Sequence, residues 1–151
     1  MLIQNLIEAQ VECRPDAVAV AIGDVHLTYG MLNGCAEQLA QTLLQYEVGP
    51  EKAVGLCVRR SPEMLIGLLA ILKAGGVVLP LDPALPVERL TFMLEDTAAL
   101  LLLTQQDLSD RLTSLAIPRL YLDAPWPAVA ANQAACSTPA HPQNPAYIIY
   151  T

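Results

Sequence analysis

The groups in this 151-residue chain that could do chemistry are few and stand apart from one another. Asp82, in Leu79-Pro80-Leu81-Asp82-Pro83, follows an apolar run, a position that invites a catalytic or metal-binding carboxylate. Its flanking prolines favour a turn instead, in which the Asp side chain accepts a backbone N–H. Lys73 closes an apolar stretch, where its charge would complement a helix C-terminus and its stem would snorkel. Glu88 and Glu95 lie seven residues apart, and with Asp96 they read as a solvated face rather than an acid/base couple, as do Glu8 and Glu12. His26 and His141 have no Cys, Ser or carboxylate at motif spacing. Cys13, Cys35, Cys57 and Cys136 lack Cys-x-x-Cys spacing and paired histidines, so no zinc site is expected and four free thiols are. No catalytic constellation and no metal site emerge, and Thr151, taken alone, reads as a strand-end threonine.

The elements that would position these groups follow a repeating pattern. Leu2, Ile3, Leu6, Ile7, Gln10 and Val11 have helical spacing up to Pro15. Residues 17–22 and 25–28 flank Gly23-Asp24 and predict a short hairpin. Thr28 is placed to cap a helix over 29–46, which carries Gly30 and Gly34 and so depends on packing of Leu32, Ala36, Leu39, Leu43 and Leu44. Residues 53–58 form an apolar run of strand length. Ser61-Pro62-Glu63 then supplies a cap, a first-turn proline and a first-turn acid to a helix over 62–74 that Gly75 ends. Strand 77–79 completes a strand-helix-strand crossover. A second cycle predicts helix 87–97, strand 99–103, helix 107–115 and strand 119–122. Residues 124–145 hold five of the twelve prolines and read as a connector, followed by a last strand over 146–150. The fold class is α/β, with a mostly parallel sheet flanked by helices.

Composition closes off several functions. With a net charge of −7 and eight scattered Lys and Arg, the chain is not expected to bind nucleic acid. The apolar stretch 64–81 is interrupted by Lys73, Gly75-Gly76 and Pro80, whereas a membrane span needs roughly 20 uninterrupted apolar residues, so no membrane association is expected. With no signal-peptide pattern, a cytoplasmic location is the expectation.

Four segments stand in one order: Glu8-Ala9-Gln10-Val11-Glu12 with Pro15-Asp16-Ala17-Val18-Ala19-Val20; Leu27-Thr28-Tyr29 with Leu32-Asn33; Arg60-Ser61-Pro62-Glu63-Met64 through Leu72-Lys73-Ala74-Gly75-Gly76 to Leu79-Pro80-Leu81-Asp82-Pro83; and Glu88-Arg89-Leu90 to Leu94-Glu95-Asp96. Together they resemble the N-terminal part of a nonribosomal peptide synthetase adenylation domain, in the adenylate-forming superfamily. The chain departs from that pattern at Met31, where the family usually has the Glu of a capping box.

The resemblance implies an incomplete N-terminal subdomain over 1–123 with a peripheral hairpin, a connector over 124–145, and a strand over 146–151 leading to a phosphate loop. In the intact family enzyme, ATP and Mg²⁺ convert an amino acid to an aminoacyl-adenylate, which is then loaded onto a carrier protein. Thr151 matches the first hydroxyl of a Ser/Thr/Gly-rich loop with a Lys that wraps the ATP phosphates. The rest of that loop and the residues that choose the amino acid lie downstream in the family, so the substrate is unread and the chain alone is expected to be inactive. The start at Met1 implies that no condensation domain precedes it. Other readings are a non-catalytic split half that docks to a separate C-terminal part, a gene remnant, or a piece of an acyl- or aryl-acid-activating enzyme of the same superfamily.

Overall fold

The computed structural model describes residues 2–124 and 140–151. Cys136 and most of the expected connector 124–145 lie outside the described residues. The chain opens with helix α1 (Ile3–Cys13) and an antiparallel hairpin of β1 (Val18–Ile22) and β2 (Val25–Thr28), turned at Gly23, whose φ is +57°. Helix α2 (Tyr29–Gln45) follows, and Thr28 caps it by accepting the Met31 N–H at 3.2 Å.

The main sheet has four parallel strands: β3 (Ala53–Leu56), β4 (Val77–Pro80), β5 (Leu101–Thr104) and β6 (Arg119–Tyr121), in the order β4-β3-β5-β6. Helix α3 (Pro62–Lys73) joins β3 to β4, and α4 (Val87–Asp96) joins β4 to β5. Alternate strand residues point to opposite faces, and the chain uses both. Val54, Leu56, Val78, Leu101 and Leu103 pack with α2 and α3, whereas Leu79 and Leu102 pack with Leu90, Met93 and Leu94 of α4. The sheet is therefore the middle layer of three.

Close approach of the layers rests on two glycines. A Cβ on Gly67 of α3 would sit 2.8 Å from Leu56 Cδ1, and one on Gly55 of β3 would sit 2.8 Å from Leu94 Cδ2 and 2.9 Å from Leu102 Cδ1. Gly75 ends α3 with φ +80°, as the sequence predicts.

Five local expectations are corrected. Ser61 does not cap α3 with its side chain; its hydroxyl accepts from Gln105 Nε2 at 3.3 Å. The helix expected over 107–115 is two 3-10 turns, Gln106–Leu108 and Asp110–Leu112. Ser109, Asp110, Thr113 and Ser114 are weak helix formers, and short i to i+3 bonds still turn Leu108, Leu112 and Leu115 inward.

The strand expected over 146–150 is a single parallel bridge between Val78 and Tyr147. The Val78 N–H donates to Ala146 O, and Ile148 N–H donates to Val78 O, both at 2.9 Å. The next residue of β4 to face this edge is Pro80, which has no N–H to donate, so the ladder stops.

Lys73 does not snorkel to water. Its amine is buried where α1 and α2 close over the end of α3; it donates to Glu8 and lies 3.6 Å from Glu37. Glu8 therefore serves a pair rather than a solvated face, while Glu12 is exposed. Partial burial pulls the Glu8 carboxyl upward, but the Lys73 hydrogen bond and charge, with a bond from Asn5, outweigh it and hold the carboxyl below its ordinary value.

Two outcomes follow. Gly55→Ala is expected to destabilise the chain by about 1–3 kcal/mol through overpacking, read as a lower midpoint in urea unfolding. Because the folded Glu8 carboxyl titrates below its unfolded value, its contribution is complete above the unfolded value of about 4.3 and is lost as pH falls through that range. The stability difference between the natural chain and Glu8→Gln should therefore shrink on acidification from about pH 6 to pH 3; a constant difference across that range would remove Glu8 from the account.

Candidate functional site

The chain leaves β3 toward β4 on one side, while β5 leads to β6 on the other. The adjacent carboxyl ends of β3 and β5 are thus a topological switch point, the place where open α/β sheets present ligand-binding loops. A cleft of about 1020 Å³ opens at this edge, walled by apolar side chains such as Leu56, Met64 and Pro80 and bearing Arg59, Arg60 and Arg111. The sequence shows scattered cations; the fold gathers three of the eight into one cleft.

The loops at the switch point are tied by polar bonds. Buried Thr104 donates its hydroxyl to Cys57 O at 2.8 Å. The next residue, buried Gln105, accepts the Arg59 N–H through Oε1 at 2.8 Å and donates to Ser61 Oγ through Nε2. Arg59 Nε meets Asp107 Oδ2 at 2.6 Å, and Gln106 N–H reaches Asp123 Oδ1 at 3.0 Å. Arg111 donates to Leu85 O at 2.6 Å. Arg59 and Arg111 are thus engaged within the protein, and the bonds serve to fix loop positions. Sequence reasoning missed this network; its signal is the switch from Leu101-Leu102-Leu103 to Thr104-Gln105, two buried polar residues at the end of β5 and just past it.

The chemically capable groups among the described residues have these places. Asp82 accepts the Ala84 N–H at 2.8 Å, the turn bond expected of it. Cys57 is buried, and burial first, with Asp82 adding and Arg111 opposing, pushes its thiol up to about 11, which leaves no thiolate at neutral pH. Glu88 and Glu95 are exposed on α4, while Asp96 accepts a hydrogen bond from the Tyr150 hydroxyl. His26 lies in the hairpin and His141 at a turn closed by its N–H to Asn144 Oδ1 at 2.7 Å. No group of three His, Cys, Asp or Glu able to hold a metal occurs among the described residues. No helix among the described residues is long and apolar enough to cross a membrane. Thr151 is exposed, at the end of the segment bridged to β4. It lies four residues past Tyr147, as Asp82 lies four past its partner Val78, so both chains run toward the carboxyl edge.

A parallel sheet covered on both faces, with its loops gathered at one carboxyl edge, defines the chain as the doubly wound α/β class. It belongs to the AMP-binding enzyme family, whose profile matches residues 7–151. It is 47% identical to a linear gramicidin synthase of Brevibacillus parabrevis, over 100% of this chain and 2% of that protein. It is 45% identical to chondramide synthase cmdD of Chondromyces crocatus, over 99% of this chain and 4% of that protein. Among solved structures it superposes with TM-score 0.87 and 33% identity on the nonribosomal peptide synthetase FmoA3 bound to alpha-methyl-L-serine-AMP, covering 100% of this chain and 17% of that one. The chain is homologous to part of a synthetase adenylation domain, and it spans a few per cent of the curated relatives' length.

Gln105→Ala leaves the Arg59 N–H and Ser61 hydroxyl without their partner, and a loss of about 1–3 kcal/mol is expected in urea unfolding. Faster exchange of the Arg59 amide would accompany it, and an unchanged amide would place the loop's order elsewhere.

Proposed function

We propose that the chain supplies the opening part of an amino-acid-activating adenylation unit, and that Thr151 is the first hydroxyl of its phosphate-binding loop. The observation that carries this reading is the match to synthetase relatives along the whole chain, with the Thr151 segment seated beside β4 and directed toward the carboxyl edge. ATP would supply the adenylyl group that the amino acid's carboxylate accepts, with release of pyrophosphate. The described residues hold the sheet edge and its loops in place, and Thr151 offers an exposed hydroxyl suited to a phosphate oxygen. In this reading the ATP phosphates and residues of the remainder of the unit would hold Mg²⁺. In the same reading that remainder is the partner. It would cover Tyr147 and Ile149, which lie 60% and 65% exposed, and a carrier protein would receive the activated amino acid.

A graft tests this. Residues 7–151 replacing the matching segment of an adenylation unit from the linear gramicidin synthase should retain amino-acid-dependent ATP–pyrophosphate exchange. Thr151→Ala in the graft should lower kcat/KM by about 10- to 100-fold, the scale of one lost contact to a charged group. The 151-residue polypeptide alone should give no exchange. Undiminished exchange in the Thr151→Ala graft would sink the assignment of Thr151.

A further inference from the structure

Helix α4 turns Leu90, Met93 and Leu94 inward, yet its only phenylalanine, Phe92, is 49% exposed. Arg89, Phe92 and Asp96 fall at i, i+3 and i+7 and so share one outward stripe. Tyr150 lies against all three. Its hydroxyl donates to the Asp96 carboxylate, its ring meets Phe92 edge-on at a centroid distance of 6.1 Å and 75°, and the Arg89 guanidinium carbon lies 5.7 Å from both ring centroids. Edge-on aromatic packing and a cation beside the ring faces are both attractive.

This cluster sits where the backbone stops helping. Pairing with β4 ends after Ile148 because Pro80 has no N–H, and no further ladder bond holds the segment. Ile148 and Tyr150 pack on the α4 side of the sheet while Tyr147 and Ile149 stay exposed, so this segment is anchored from one face only.

We propose that Arg89, Phe92, Asp96 and Tyr150 form a clasp that replaces the missing ladder and fixes where the chain leaves the sheet at Thr151. The functional meaning rests on the reading of Thr151 as the start of a phosphate loop. On that reading the four are positioning residues: they touch no reacting atom and set the starting direction of the loop that does. The phenol carries a signature of the arrangement. Its bond to Asp96 first, then burial and the Asp96 charge, hold it above its ordinary range, with Arg89 opposing.

The test is NMR on the 151-residue chain, reading Ile148 amide exchange, Thr151 backbone order and the Tyr150 phenol titration. Tyr150→Ala removes the whole clasp and should speed Ile148 exchange about tenfold or more, lower Thr151 order, and leave the Val54 amide of β3 unchanged. Tyr150→Phe keeps the ring and loses only the hydroxyl bond, so a smaller acceleration of about threefold is expected. Asp96→Asn keeps an acceptor without the charge and should retain most of the protection while returning the phenol toward its ordinary range. These two milder variants carry the test if Tyr150→Ala does not fold. Unchanged Ile148 exchange in Tyr150→Ala, or equal acceleration at Ile148 and Val54, would overturn the clasp. No nucleotide enters the measurement, so a silent Thr151→Ala in the graft would remove the phosphate reading and leave this result standing.

Discussion

Strand β3 is hydrogen-bonded on both edges and buried on both faces, and every other element takes its place from that constraint. All four residues of Ala53-Val54-Gly55-Leu56 are buried, and none carries a polar side chain. Gly55 extends the constraint sideways, because the missing Cβ is the space that Leu94 and Leu102 occupy. Burial of both faces then forces one covering layer per face. The sequence meets that demand with α2 and α3 on one side and α4 with the two 3-10 turns on the other.

Two polar clusters sit at the ends of apolar elements in this framework. Lys73 is buried at the end of α3, and burying an ammonium is unfavourable unless carboxylates reach it. Glu8 from α1 and Glu37 from α2 do so, which makes the lysine the point at which three helices agree on a register. At the opposite end of the sheet, Thr104 and Gln105 perform the equivalent task for the loops after β3 and β5. One polar knot sets the helices and the other sets the carboxyl edge.

Where signals are local, the sequence discloses the fold. The apolar runs, Gly75, Thr28 and the Ser61-Pro62-Glu63 start define most elements within a residue or two, and the motifs from Leu72 to Pro83 point to the family. What it conceals is long-range. Glu8 and Lys73 are 65 residues apart, and Arg59 and Gln105 are 46 apart, so neither pairing has a spacing to read. The missed 3-10 turns reflect a conflict between helical spacing of Leu108, Leu112 and Leu115 and the poor helix formers between them. The overextended last strand is different in kind, because its limit lies in its partner. Nothing in 146–150 forbids a ladder; Pro80 does.

That proline also explains why the carboxyl edge has the shape it does. Val77 on β4 and Leu81 just after it donate inward to Lys52 O and Leu56 O on the β3 side, whereas Val78 donates outward to Ala146 O. Pro80 continues the outward series, so its missing N–H costs β3 nothing and withholds a bond only from the terminal segment. Ala146 O and Ile148 N–H face Val78, so in a continued ladder the next backbone groups committed to β4 would be those of Tyr150, fixing Thr151 beside them in an extended strand. Ending the ladder at Ile148 leaves the backbone of Tyr150 unpaired with β4. Side chains on α4 can then hold the segment without occupying the groups that an anion-binding turn needs.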